Sequence, residues 1–126
     1  MYFLSKMEII IHEANDQKIA EVISDSVVIN NEREALDLMV EPRLKGARKM
    51  IVHQKNIIPE FFDLSTRIAG EVLQKFVTYR IKLAIVGDFK TASETLKALI
   101  YESNKGNEIF FVDDIETAKR KLFAAK

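Results

Sequence analysis

No cysteine occurs among the 126 residues. That excludes a disulfide framework, thiolate zinc sites and a cysteine nucleophile, and it suits a reducing compartment. No charge of either sign is in excess, because 19 Lys and Arg balance 19 Asp and Glu. Nucleic-acid binders usually carry a basic surplus or a basic face, so no nucleic-acid partner is expected. The best basic cluster, Arg43, Lys45, Arg48 and Lys49, falls where a helix should end and suits the negative end of its dipole. No apolar run approaches the ~18–20 residues needed to cross a membrane. The start, Met1 to Met7, lacks the basic and long apolar regions of a signal peptide. A cytoplasmic location is therefore expected, with Met1 to Lys6 as a variable leader. Four glycines and two prolines are too few for a linker, and no repeat or low-complexity tract is present. A single domain over residues 1–126 is the expectation.

What remains is an ordinary globular composition, 48% hydrophobic and 30% charged. Ile9-Ile10-Ile11 and Lys18 to Ile23 read as two strands around an Asn15-Asp16 turn, an antiparallel hairpin. The second strand alternates imperfectly, since Glu21 shares a parity with Ile19 and Ile23. Asn31 with Glu34 forms a capping box. The helix it opens should end or kink at Pro42 and stop by Gly46. Met50-Ile51-Val52 is a third strand, running into His53. Leu64, Ile68, Val72 and Phe76 fall at four-residue spacing, which predicts a helix over Phe61 to Phe76. Gly70 inside it marks either a close approach to the sheet or nothing.

The C-terminal third is the clearest. Ile81 to Val86 is a strand closed by Gly87-Asp88. Thr91-Ala92-Ser93-Glu94 opens a helix that ends near Asn104-Lys105-Gly106, where Asn104 and Gly106 suit a C-terminal cap. Ile109 to Val112 is the last strand, and Asp113-Asp114-Ile115-Glu116 starts the last helix. The order is β-β-α-β-α-β-α-β-α. Strands alternating with helices, joined by right-handed crossovers, give an α/β fold. It has a mixed sheet of about five strands, a starting hairpin followed by βαβ units, and four helices.

Ile85 to Asp88, Ile109 to Asp113 and Glu116-Thr117-Ala118 are similar to the end of SpoIIAA-like, or STAS-like, domains. More broadly, Met7 to Leu122 resembles a bacterial family known as domain of unknown function 4180. The resemblance is carried by Lys18 to Val22, Ala35 to Met39, Pro59 to Leu64, Ala69-Gly70-Glu71, Leu83 to Asp88 and Tyr101 to Gly106. It implies a STAS-like fold and a soluble bacterial setting, without an activity. In STAS-class antagonists a Ser at a helix start, in the motif Asp-Ser-Ser/Thr-Gly, is phosphorylated by a partner kinase. The matching place reads Asp63-Leu64-Ser65-Thr66-Arg67, with Leu64 for the first Ser and no Gly. Ser65 is thereby the candidate phosphosite, although Asp63 and Ser65 also suit a plain helix cap.

His53, Lys55, Asn56, Glu60 and Asp63, with Ser65 and Arg67, form the densest polar set after a strand's C-terminal end, where open α/β sheets favour ligands. They are the candidate binding surface. His53, Glu60 and Asp63 would be the acid–base or metal-ligating set of an enzyme, but their spacing demands neither, and no catalytic residue, metal or cofactor is assigned. Gly87-Asp88 reads as a strand-to-helix turn. Phe61 and Phe62 cannot both face inward on one helix, so one belongs to a contact surface. The leading expectation is a non-enzymatic binding or regulatory domain that engages a protein partner. A small-molecule or lipid carrier, with its cavity between sheet and helix, is the alternative, and an enzyme ranks third. The partner's identity and the oligomeric state stay open.

Overall fold

Asn15 and Asp16 both take positive φ, 52° and 65°, the conformation of a tight hairpin turn. They fold β1 (Met7–Ala14) back on β2 (Gln17–Ser24) in an unbroken antiparallel register, from Met7 opposite Ser24 to Ala14 opposite Gln17. The computed structural model describes residues 7–126, so the expected leader, Met1 to Lys6, lies outside the described residues.

After the hairpin come α1 (Glu32–Leu44), β3 (Lys49–His53), α2 (Ile68–Thr78), β4 (Lys82–Val86), α3 (Glu94–Lys105), β5 (Ile109–Val112) and α4 (Ile115–Ala124). The sheet runs β1-β2-β3-β4-β5, antiparallel only in the first pair. The element order, the mixed five-stranded sheet and the four helices are as the sequence implies.

Consecutive parallel strands with crossovers of one hand place every connecting helix on one face. That face buries Ala20, Val22, Met50, Val52, Leu83, Ile85 and Phe111 against Ala35 and Met39 of α1 and Val72 and Phe76 of α2. Residues of the other parity, Ile19, Ile51, Ala84, Phe110 and Val112, bury against Ala118 and Leu122 of α4. Among the described residues, the last helix alone covers the opposite face. Lys49 fastens it. Its ammonium donates to the carbonyls of Leu122 and Ala125 at the helix end and to Gln17, supplying donors that those terminal carbonyls otherwise lack. Burial, with Lys82 nearby, lowers the Lys49 pKa. A residue read as part of a basic cluster at a helix end is therefore a tie between elements.

The cap of α1 was legible because a single side chain decides it. Asn31 accepts the Glu34 N–H at 2.9 Å, as the capping box implies, whereas the last helix is capped by Asp114, which accepts the Thr117 N–H at 2.7 Å, one residue after the Asp113 that a box ending at Glu116 requires. Three further expectations need correction. The helix α1 runs past Pro42 to Leu44. Pro42 removes only the one bond that its N–H would give the Leu38 carbonyl, so a single further turn is tolerated, and the stop comes at Gly46, whose φ is +87°. In α3 the cap is Ser93, whose hydroxyl accepts the Leu96 N–H, so the helix starts after Thr91. The helix expected from Phe61 starts only at Ile68. Before it run 3₁₀ turns at Pro59–Phe62 and Leu64–Thr66, and Arg67 breaks the path with φ 68°. Leu64 keeps the helical spacing because it also packs against the core, so the apolar stripe continues where the helix does not. Gly70 meets nothing within 4 Å, which removes the close-approach reading.

Candidate functional site

The polar segment after β3 is built around an amide. Asn56 is fully buried, and its Nδ2 donates to the carbonyls of Ser24 and Ser26 at 2.9 and 2.8 Å. The Asn56 backbone carbonyl accepts the N–H groups of Val28 and Ile29. Asn56 therefore ties the segment to the end of β2. It does not belong to a binding surface, because a side chain without exposure cannot meet a partner.

Downstream, Phe61 is fully buried, whereas Phe62 is half-buried at the surface. Only one of the adjacent rings faces inward, as helical geometry required and as the 3₁₀ turn also enforces. Ring contacts connect the turn to the sheet: Phe61 to Phe62 at 4.8 Å, Phe62 to Phe89 at 6.0 Å and Phe89 to Phe111 of β5 at 5.4 Å between centroids. The turn is locked by hydroxyls. Thr66 donates to the carbonyls of Glu60 and Asp63, both at 2.8 Å. Asp63 Oδ1 accepts the Ser65 hydroxyl at 2.7 Å and the Ser65 N–H at 3.0 Å. Those two bonds, the hydroxyl first, hold the exposed Asp63 carboxyl below its ordinary value. Ser65 is exposed, but it sits in a 3₁₀ turn ahead of α2 rather than in the helix's first turn.

A cleft of about 370 Å³ opens between this segment and the β4–α3 connection. Pro59, Phe62, Phe89 and Leu96 give it an apolar lining, and Gln54, Asp63, Asp88 and Ser93 border it with polar groups. It lies off the C-terminal ends of neighbouring parallel strands β3 and β4, where open α/β sheets present their loops. Asp88, Phe89 and Ser93 were missed as site residues. The signal was available: Gly87-Asp88 closes the strand next to β3, so its loop must stand beside the 54–66 segment.

Gln54 joins the two walls. Its Oε1 accepts the Asp88 N–H at 2.9 Å, lying across Gly87. A Cβ on Gly87 would fall 2.3 Å from Gln54 Oε1 and 2.6 Å from Gln54 Cβ. Gly87→Ala is expected to cost about 1–3 kcal/mol by overpacking and to part the cleft walls. Urea denaturation measures this, and a variant as stable as the parent would show that Gln54 swings away freely.

His53 belongs elsewhere. It has the parity of Ile51, toward α4, and its Nε2 lies 2.8 Å from Glu21 Oε2. The other Glu21 oxygen bonds His12 Nε2, also at 2.8 Å. Both histidines of the chain thus grip one carboxylate that is 6% exposed. Burial pushes that carboxyl up, but the hydrogen bonds and charges of His53 and His12 outweigh it, and the net pKa is lowered. The sequence hint was Glu21 on an otherwise apolar parity of β2. His53 on this face and Asp63 in the cleft are not brought together as the acid–base set required. Glu60, Lys55 and Arg67 are exposed on the 54–67 segment. Among the described residues, no group of three or more His, Asp and Glu is placed to hold a metal ion. No helix among them is long and apolar enough to cross a membrane.

The chain matches the family described as Domain of unknown function (DUF4180) over residues 14–122, and it belongs to that family. No curated protein and no solved structure matches it.

Proposed function

We propose that this member of the DUF4180 family is a non-enzymatic binding or regulatory domain of STAS-like type, which receives a protein partner in the cleft between the 54–66 segment and the β4–α3 connection. One observation carries the reading. Phe62 and Phe89, rings 6.0 Å apart, form an apolar floor between two exposed carboxylates, Asp63 and Asp88. That pattern suits an apolar side chain flanked by basic ones, because an apolar anchor supplies affinity and rim charges select and orient. The STAS-like part rests on the resemblance and on the hairpin-then-βα order, and the same resemblance suggests a bacterial cytoplasmic setting.

Ser65 offers a switch at the cleft's border. Its hydroxyl donates to Asp63. A phosphate there would remove the donor and set about two negative charges against the carboxylate, undoing the cap of that turn. A second reading, a small-molecule or lipid carrier, draws on an apolar groove of about 440 Å³ lined by Leu64, Ala69 and Leu73 beside α2 and by Leu99 of α3. That groove lies between helices, not between sheet and helix.

Native mass spectrometry of the tagged chain, recovered gently from its own host, tests both. The expected result is a defined protein partner whose affinity falls at least about tenfold in Asp63→Lys/Asp88→Lys. A partner held equally by the double variant would move the interaction off this cleft. A small adduct shed on denaturation would favour the carrier.

A further inference from the structure

The sheet has two edges, and the chain treats them differently. At β5 the outward-facing backbone belongs to Ile109 and Phe111, because Glu108 and Val112 direct their carbonyls to β4. Asn104, read from sequence as a C-terminal cap, lies inside α3. Its Oδ1 accepts the Phe111 N–H at 2.9 Å and its Nδ2 donates to the Phe111 carbonyl at 3.1 Å. One amide thus imitates a neighbouring strand at Phe111 of this short edge. Covered edges are how sheets avoid pairing with other chains.

At β1 no such device is present among the described residues. The strand is eight residues long and pairs only with β2. Its register has no bulge, and it contains neither Pro nor Lys. Met7 and Ile10 are 45% and 41% exposed. A long, regular, partly apolar edge is a template for another strand.

We propose that two copies of the chain pair through the outer edges of β1, antiparallel, about a twofold axis at Ile10. A twofold axis normal to the sheet keeps each residue on its own face, so residues of one parity oppose each other. With Ile10 on the axis, Ile10 meets Ile10, Ile9 meets Ile11, Met7 meets Glu13, and Glu8 meets His12 in both directions. Directly opposed side chains sit about 4.5–5.5 Å apart at Cβ, where apolar contacts and opposite charges both stabilise. Neighbouring registers lose this match. Centring on Ile9 sets Glu8 against Ile10, and centring on Ile11 sets Ile9 against Glu13 and Ile10 against His12. The ring of His12 is already oriented, since Glu21 holds its Nε2, and its Nδ1, which donates as well only in the imidazolium form, is the nitrogen left to meet Glu8 of the second copy. The occupant is therefore a second copy, because β1 is complementary to itself in charge and in apolar contact.

Sedimentation velocity of the full chain across a wide concentration range tests this, together with hydrogen exchange of the β1 amides. A dimer is expected, with β1 amides gaining protection as concentration rises. Ile10→Lys places two like charges on the axis at an exposed position and should weaken association at least about tenfold. Glu8→Lys should act in the same direction, and unchanged melting would show that both variants are folded. A monomer at every concentration overturns the proposal. So does a dimer that is indifferent to Ile10→Lys and leaves the β1 amides unprotected.

Discussion

Replacing Phe61 by Ala is expected to cost about 3–5 kcal/mol, the usual range for a fully buried ring. Phe61 has no exposure and sits in the 3₁₀ turn Pro59–Phe62, a segment with few backbone bonds of its own. Packing, more than secondary structure, keeps that turn against the core. Removing the ring leaves a void that a turn fixed by Pro59 and Asn56 cannot collapse to fill. Total stability of a domain this size is about 5–15 kcal/mol, so the variant should lose roughly a fifth of it or more. Phe62→Ala supplies the comparison. Phe62 is half-buried and faces the cleft, so its loss should cost roughly 1–2 kcal/mol while removing half of the apolar floor. Urea titrations of the two variants decide the matter. Equal losses would mean that the buried and cleft-facing roles are assigned to the wrong rings.

That pair also marks the limit of what the chain discloses by itself. The alternation of apolar runs with capped helical stretches sufficed for the element order, the starting hairpin and a mixed sheet, because each crossover has one allowed hand. The single-residue cap at Asn31 was legible for the same local reason. The segment from Phe61 to Arg67 was not. Its apolar spacing satisfies a helix, and what denies the helix is a set of side-chain bonds from Asp63 and Thr66 with a left-handed Arg67. No periodicity encodes that set. Asn104 shows the complementary failure: its cap chemistry was visible, but its partner, Phe111, comes from a strand that only the fold places beside it.

The candidate site divides along the same line. The segment after β3 was found because polar residues follow a strand end, a local signal. Its second wall, Asp88 to Ser93, depends on β4 lying next to β3, and its apolar floor depends on the ring contacts of Phe62 with Phe89. His53 seemed local to the cleft and is not, since strand parity carries it through to the other face. There it joins Glu21 and His12, residues distant in sequence from it and brought together by registers in β1, β2 and β3.

Glu21→Ala should therefore be the costliest polar substitution, about 2–3 kcal/mol at neutral pH, since it strips two ring N–H groups of one charged acceptor. The effect should also depend on pH in a definite sense. The folded carboxyl titrates below its ordinary value of 4.5, so the folded state binds fewer protons there than the unfolded one. Its contribution is fully present above 4.5 and is lost as pH falls through the folded value. The stability gap between parent and variant should accordingly narrow as the buffer is taken from 4.5 down through the folded value. Denaturant midpoints measured at neutral pH and below the folded value report that gap directly. A gap that stays constant into acid would mean that the carboxylate's charge contributes nothing and that Glu21 acts by shape alone. A narrowing gap would instead make the two rings and one carboxylate an ionic tie across three strands, on the same face on which Glu8 and His12 of two copies would meet.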